Sequence, residues 1–441
     1  MIGPVRFSPA VILLCLCFSL SRAEIKPEGG RELISPQIIR SMQSYMFDQR
    51  LDGWIFSGQG AFDDIQSEFL GLKGTTRHRW IIFFFTLDTI KKPFLIYNPD
   101  DEQAFSGINF YPLPYNGYRE MEEAIKYNIK PSAFVIFANY SNRMEIPEIS
   151  TLDAGVLELL SSLGFKIQSS GTLLSFYNTR WTMEEAASHK QAAAALDSLL
   201  PLAVGKLKER LAANKKITDY ELGQYVEKSL KKLGLEALES PTVAAGEKTR
   251  LERYSPSRKE SRPLERGDLL DLEVQARLKG QPEAMFAKLG WTLYLGESVP
   301  DSLGEEWDRL DKGNAAALEL LKSRIPGGKT LLGCEVDQTV RAKICGGDHK
   351  LLPRPYGFNI NRLNKRFGVN FDDHEAHDTR KVEPGLGFTL EPGFYRSAYA
   401  LRSCANLFID GTKEISLSAP LQKKIIPVLG PPEMTVEQET K

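Results

Sequence analysis

The sequence predicts two domains in series, an α/β domain followed by an α+β domain. From Glu24 to about Tyr177, the β-rich runs DGWIFSG, RWIIFFFT, PFLIYN, SAFVIFANYS and FKIQSS alternate with helical runs such as SPQIIRSMQSYMFDQR and TLDAGVLELLSSLG. That order builds a mostly parallel or mixed sheet. At Trp181 the pattern changes to long helices followed by strands that pair without crossover helices, the signature of an antiparallel sheet with helices on it. The chain of 441 residues, 42% of them hydrophobic, is long enough for two separate cores. The expected layout is a leader over 1–23, a first domain over 24–178, a second over 179–430 and a loose tail over 431–441.

The leader reads MIGPVRFSPAVILLCLCFSLSRA: one Arg, an apolar run and a small-residue exit before Glu24. This is the pattern of a secretory signal cleaved after Ala23, too short to span a bilayer, so the mature protein is expected to be secreted or periplasmic with no membrane anchor. Gly164 is placed to end the helix TLDAGVLELLSSLG. Thr182 with Glu185, and Thr218 with Glu221, form two capping boxes that open the helices AASHKQAAAALDSLL and DYELGQYVEKSLKKLG, the latter closing at Gly234. Further helices are expected at SLGEEWDRLDKGNAAALELLKSR and EVDQTVRAKI, and strands at DLLDLEVQARL, AKLGWTLYLG, GFTLEPGFY and CANLFIDG.

Lys and Arg (56) nearly balance Asp and Glu (57), and no long basic run occurs, which argues against nucleic acid or an anionic membrane as partner. Three cysteines remain after cleavage, Cys334, Cys345 and Cys404. The first two flank a predicted helix about 16 Å long and are too far apart to bond to each other.

Candidate chemistry is sparse. Asp271, Glu273, Gln275 and Arg277 alternate along one strand and share a face, either a ligand platform or the wet side of a half-buried sheet. Glu391 precedes Pro392-Gly393 at a strand end, where a carboxylate needs a cationic partner or a metal. The cluster DDHEAHD at 372–378 lacks zinc-ligand helical spacing and reads as a solvated loop. No G-x-S-x-G, Walker or dinucleotide-binding glycine pattern is present.

The two-domain split, the helices between 182 and 234, and the segments RHRWIIFFF, TRWTMEEAASHKQAA, SPTVAAG, GDLLDLEVQARLKG, GWTLYLGE and HDTRKVEPGLGFTLEPGFY together resemble the Xaa-Pro aminopeptidase and prolidase family. The resemblance covers nearly the whole mature chain. It implies a creatinase-like α/β domain followed by a pita-bread α+β domain. Active members hold two Mn, Zn or Co ions through two Asp, one His and two Glu, and a bridging hydroxide attacks the X-Pro bond. Carried over residue by residue, Asp271 and Glu391 are retained ligand positions. Lys288, Phe358 and Cys404 stand where the second Asp, the His and the second Glu would be, with Arg402-Ser403 kept before the last. Arg253 and Lys365 stand at the two accessory His positions.

The resemblance therefore implies a degraded metal site with no catalytic residue and no metal. Asp271, Lys288, Phe358, Glu391 and Cys404 carry one net negative charge, where the active set carries four against two divalent ions. Lys288 is expected to take the place of a metal and pair with Asp271 and Glu391; the other reading makes these two carboxylates leftovers held by strand-end hydrogen bonds. The function implied is a non-catalytic module that binds short proline-containing peptides or assembles as a homodimer. The alternative is an Xaa-Pro hydrolase with a remodelled mono-metal or metal-free site, which would need His374 or His377 inside the cleft, or Cys404 as a soft ligand.

Overall fold

The computed structural model describes residues 36–86, 92–106, 109–129, 134–251, 254–346, 348–361 and 367–431. The expected leader, the tail beyond 431, Arg253 and Lys365 lie outside the described residues.

The N-terminal part is built from α1 (Pro36–Asp48), β1 (Gly53–Ala61), α2 (Asp64–Leu70), β2 (Thr75–Phe85), β3 (Phe94–Tyr97), β4 (Tyr111–Pro114), α3 (Tyr118–Ile129), β5 (Val135–Ala138), α4 (Ala154–Ser162), β6 (Lys166–Ser169) and α5 (Gly171–Thr179). One six-stranded sheet runs in the order β4-β3-β2-β1-β5-β6. It is mixed: β1 pairs antiparallel with β2 and parallel with β5, and β5 pairs parallel with β6. The strands are nearly continuous in apolar residues because both faces are covered. Trp54, Phe56, Trp80 and Phe84 pack into one buried cluster, and Ile55, Ile81, Phe83 and Phe85 into another. Gly164 adopts φ +95° just past α4, a left-handed position that glycine takes without strain.

The C-terminal part opens with α6 (Met183–Asp197), α7 (Leu199–Ala212) and α8 (Asp219–Lys232). There follow β7 (Leu235–Ala237), β8 (Thr242–Ala245), β9 (Leu269–Leu278), β10 (Ala287–Tyr294), α9 (Asp301–Arg324), α10 (Gly333–Ile344), β11 (Asn359–Ile360), β12 (Leu386–Leu390), β13 (Gly393–Tyr395), β14 (Ala400–Arg402), β15 (Ala405–Ile409), β16 (Ile415–Leu417) and β17 (Ile426–Pro427). Both capping boxes form as read from the sequence. Cys334 in the first turn of α10 and Cys345 at its C-cap are buried free thiols.

Two larger sheets and the two-stranded β13-β14 ribbon make up this part among the described residues. β17-β10-β9-β7, with β8 also on β9, form one, and β11-β12-β15-β16 form the other. The segment GFTLEPGFY is not one strand: β12 ends at Leu390, and β13 pairs with β14 instead. The bridge between Gly290 and Cys404 stitches the two sheets together, with reciprocal hydrogen bonds of 2.9 and 3.0 Å. Glycine suits 290, since a Cβ there would lie 3.2 Å from that of Cys404 and push on it.

α6 is locked to both sheets. Trp181 stacks on Phe408 at 4.8 Å and its indole N–H donates to the Ile360 carbonyl at 2.8 Å. Eight residues on, His189 is 1% exposed, with Nδ1 2.8 Å from the Phe286 carbonyl and Nε2 2.9 Å from the Ser418 hydroxyl. This pairing fits a neutral ring that donates from Nδ1 and accepts at Nε2. Burial lowers its pKa to about 4, so it stays neutral where an unfolded-chain histidine would be charged. The unfolded chain then binds the proton first as pH falls. The His189 contribution is intact above about pH 6.5 and is lost as pH drops toward 4, amounting to about 3 kcal/mol. Urea denaturation of wild type and His189→Gln across that window should show a steeper acid loss in wild type; parallel profiles would refute it.

Candidate functional site

The site forms where β9, β10, β14 and the end of β12 converge. β9 and β10 are antiparallel, with Thr292 opposite Asp271, Gly290 opposite Glu273 and Lys288 opposite Gln275. Side chains alternate along each strand, so Asp271, Glu273 and Lys288 project from the same face. Lys288 stands diagonal to Glu273. Asp271 lies four residues from the partner of Lys288, about 14 Å along the strand, beyond the easy reach of a lysine side chain.

That register corrects the expected pairing. Lys288 Nζ is 2.8 Å from Glu391 Oε2 and 3.1 Å from Glu273 Oε1. The expected bond from Lys288 to Asp271 is not made. Asp271 is paired with Arg402 instead, Arg402 Nη2 donating to Asp271 Oδ2. Arg402 is carried there by β14, which is clipped to β10 at Thr292: the threonine hydroxyl donates to the Arg402 carbonyl at 2.6 Å and accepts from its N–H at 3.1 Å. Because Thr292 faces Asp271 across the ladder, the guanidinium is delivered onto that carboxylate.

The backbone of Lys288 is equally fixed. Its N–H donates to Asn406 Oδ1 at 3.0 Å, and its carbonyl accepts from Asn406 Nδ2 at 2.9 Å and from the Cys404 thiol at 3.3 Å. Glu391 follows the last residue of β12, its N–H donating to the Tyr356 carbonyl at 2.6 Å. Phe358 exchanges hydrogen bonds with Thr389, its N–H donating to the threonine hydroxyl at 3.0 Å and its carbonyl accepting the threonine N–H at 2.8 Å. It therefore stands just ahead of β11, beside the strand that leads to Glu391. The structure thus brings Asp271, Lys288, Glu391 and Cys404 into one cluster, with Phe358 next to β12.

Burial sets the electrostatics. The face of β9 is not a wet side at Asp271, which is 1% exposed. Burial pushes that carboxyl up to about 6 against the pull of Arg402, so it is ionised at neutral pH. Burial also works against charge on Glu273 and Lys288, but their mutual attraction wins: Lys288 and Arg402 hold Glu273 below the usual carboxylate range, and Glu273 and Glu391 hold Lys288 above the usual ammonium range. Burial, with Glu391 nearby, drives the Cys404 thiol well up, so it stands un-ionised beside the ion pairs.

Two divalent ions do not fit these residues. The two retained ligand positions are both taken by cations, Glu391 by the Lys288 ammonium and Asp271 by Arg402. Three carboxylates against two cations leave one negative charge, too little for two dications in a buried cleft. Among the described residues, no group of three or more His, Cys, Asp and Glu side chains is arranged to hold a metal ion.

The loop 372–378 is more buried than its composition suggests. Asp372 accepts from the N–H groups of His374, Glu375 and Ala376 at 2.8 to 3.2 Å, and Asp378 pairs with Arg380 at 2.6 Å. His377 is exposed and lies 2.5 Å from Asp373. These carboxylates tie the loop to itself and to its neighbour.

Two residues of the cluster, Glu273 and Arg402, were named from the sequence without a partner being assigned to them. Glu273 carried a signal, since it shares a strand face with Asp271 and is diagonal to Lys288 once β9 and β10 are aligned. Arg402 carried none beyond its place before Cys404, because its role depends on how β14 is clipped to β10.

Comparison with known proteins follows the same lines. No curated protein matches the chain. Among solved structures, a prolidase from Thermococcus sibiricus superposes with a TM-score of 0.53 at 16% identity, covering 88% of this chain and 98% of that one. Dipeptidase PepE from Mycobacterium ulcerans gives 0.59 at 13%, covering 88% and 96%. The N-terminal domain of a FACT complex subunit from Cicer arietinum (chickpea) gives 0.57 at 15%, covering 88% and 97%. These likenesses identify the creatinase-like and pita-bread fold. Residues 186–412, just over half of the sequence, match metallopeptidase family M24, and the chain belongs to that family.

Proposed function

We propose that this chain is an exported, non-catalytic member of the family, serving as a peptide-binding or assembly module. The observation that carries this reading is the Lys288 ammonium seated 2.8 Å from Glu391 and 3.1 Å from Glu273. A cation fixed by the strand register occupies the space between carboxylates, so binding a metal would require breaking two ion pairs and burying like charges together. A hydrolytic route without metal needs an acid-base group in the cleft. Here Cys404 is held un-ionised, and His377 lies exposed in a loop, paired with Asp373. An assembly role is in keeping with the chickpea neighbour, which has this fold and is described as a complex subunit.

The test uses the chain from Glu24 onward, loaded with excess Mn²⁺ or Zn²⁺, dialysed, and assayed for bound metal and for hydrolysis of an X-Pro dipeptide. The expected result is no stoichiometric metal and no turnover. Two metals per chain with turnover would overturn the reading. For export, N-terminal sequencing of protein recovered outside the cytoplasm should begin at Glu24; a full-length chain confined to the cytoplasm would refute that part.

A further inference from the structure

The sequence contains one Asn-Gly pair, Asn116-Gly117. It lies in the turn between β4 and α3, and both residues are exposed. The turn is anchored on either side. Before it, Tyr115 is buried, its N–H donating to the Tyr97 carbonyl at 2.9 Å and its carbonyl accepting from Asn98 Nδ2 at 3.2 Å. After it, the Gly117 carbonyl accepts the Met121 N–H at 3.2 Å, and Met121, Ile125 and Ile129 of α3 are buried in the core that covers Ile55, Ile81 and Phe83. Between these anchors the two groups that could react are loose. The Gly117 N–H makes no hydrogen bond among the described residues, and nothing lies within 4 Å of where a Cβ on Gly117 would stand. Glycine thus leaves the backbone room to turn its nitrogen toward the side chain before it. Asn116 is tied to Glu120 mainly through its own N–H, which donates to Oε2 at 2.8 Å. Its Nδ2 lies 3.3 Å from the same oxygen, beyond the usual range for such a bond, and both side chains are exposed, so the amide is weakly held.

We propose that Asn116 is a self-modification site, converted to a carboxylate by intramolecular deamidation. The Gly117 nitrogen gives up its proton to solvent and attacks Asn116 Cγ. The new N–C bond closes a succinimide ring, the Cγ–Nδ2 bond breaks, and the amide leaves as ammonia with a proton from water. Water then opens the ring at either carbonyl, giving aspartate or an isoaspartate in which the backbone runs through the side chain. The balance is one water taken up and one ammonia released, with no oxidant, metal or second protein. The product acts on α3. A carboxylate stands where an amide met Glu120, so an attraction becomes a like-charge contact beside the first turn. The isoaspartate form also lengthens the link between β4 and α3 by one backbone atom. Both products loosen the start of a helix whose buried face covers the sheet. No residue of the ion-pair cluster takes part, so the inference stands apart from the peptide-binding reading.

The test is incubation of the purified chain at neutral and mildly alkaline pH, followed by digestion and mass spectrometry, with isoaspartate located by fragmentation. Asn128, Asn142 and Asn214 are also exposed and precede Ile, Arg and Lys, so they serve as internal references. Conversion at Asn116 is expected to run at least about tenfold faster than at any of the three, a modest difference in barrier, and to quicken as pH rises. Gly117 does not have a positive φ and has open space around it, so Gly117→Ala should fold as wild type by circular dichroism and slow Asn116 to the rate of the references. Hydrogen exchange in the first turn of α3 should rise in step with conversion, and Asn116→Asp should show part of that rise at once. Equal rates at all four asparagines, or undiminished conversion in Gly117→Ala, would overturn the site. Exchange in α3 that stays unchanged in both the converted protein and Asn116→Asp would overturn its effect on the helix.

Discussion

Replacing Lys288 with methionine is expected to destabilise the protein by about 3–5 kcal/mol at neutral pH, although the two side chains are similar in length. The ammonium is the cation between Glu273 and Glu391, whose side chains are only 18% and 19% exposed. Methionine would leave two carboxylates facing each other in a poorly solvated cleft, and like charges there raise each other's pKa. The pH dependence identifies the cause. In the variant Glu273 loses the ammonium that holds it down, and burial then moves its folded-state value up. Its protonated form would support the fold below about pH 4.3, and that support would be lost as pH rises. The deficit relative to wild type should therefore be full at pH 7 to 8 and shrink markedly near pH 4. Urea titrations at pH 4, 6 and 8 measure it. Adding Glu273→Gln and Glu391→Gln to the methionine variant should recover most of the loss, because no uncompensated charge remains. A deficit independent of pH, or a triple variant no better than the single, would mean that Lys288 acts through packing of its stem and not as a counter-ion.

What the sequence could reveal about this site follows from which interactions are local and which are not. The strand through Asp271 and Glu273 and the caps at Thr182 and Thr218 are legible because they depend on spacings of two or three residues. The presence of a cation among the carboxylates was legible from the resemblance, since Lys288 falls between recognisable Trp and Gly positions. Of its two expected partners Glu391 is found, and Glu273 stands in for Asp271. That exchange depends on the register of β9 against β10, which places Gln275 opposite Lys288 and sends the ammonium to Glu273; a shift of two residues would have brought it toward Asp271. The break of GFTLEPGFY into β12 and β13 was hidden for a related reason. Glu391 and Pro392 lie where the chain leaves one sheet for another, and a run of apolar residues does not show which strand each half will pair with. The burial of Asp372 and Asp378 in an acidic loop shows the same limit: composition suggested solvation, but the carboxylates are used to satisfy backbone N–H groups.

Removing Arg402 tests the other half of the cluster and should have a comparable effect with a different pH signature. Asp271 is 1% exposed, and its carboxyl already sits at about 6 with the guanidinium in place. Its folded-state value is thus raised above that of the unfolded chain. The Asp271 contribution to stability is present below about pH 3.9 and is lost as pH rises through 6, even in wild type. In Arg402→Met the counter-charge is gone and burial acts alone, so the carboxyl moves higher still. At pH 8 the variant must either bury an unpaired charge or hold a proton against the bulk, and the loss is expected to be about 3–5 kcal/mol. At pH 5 the carboxyl is protonated in the variant's folded state at little cost, and the deficit should fall to that of lost packing. Arg402→Lys would not rescue fully, because an ammonium cannot reproduce the fork that faces both Asp271 and Tyr395. Combining Arg402→Met with Asp271→Asn should restore stability at pH 8 by removing the buried charge. Both cations help to hold Glu273 down, but each is bonded to different carboxylates, Lys288 to Glu273 and Glu391 and Arg402 to Asp271. The double variant Lys288→Met with Arg402→Met is then expected to lose nearly the sum of the two single effects. A double variant far less damaged than that sum would show instead that the five charges titrate as one unit, with protons redistributed among three carboxylates once either cation is removed.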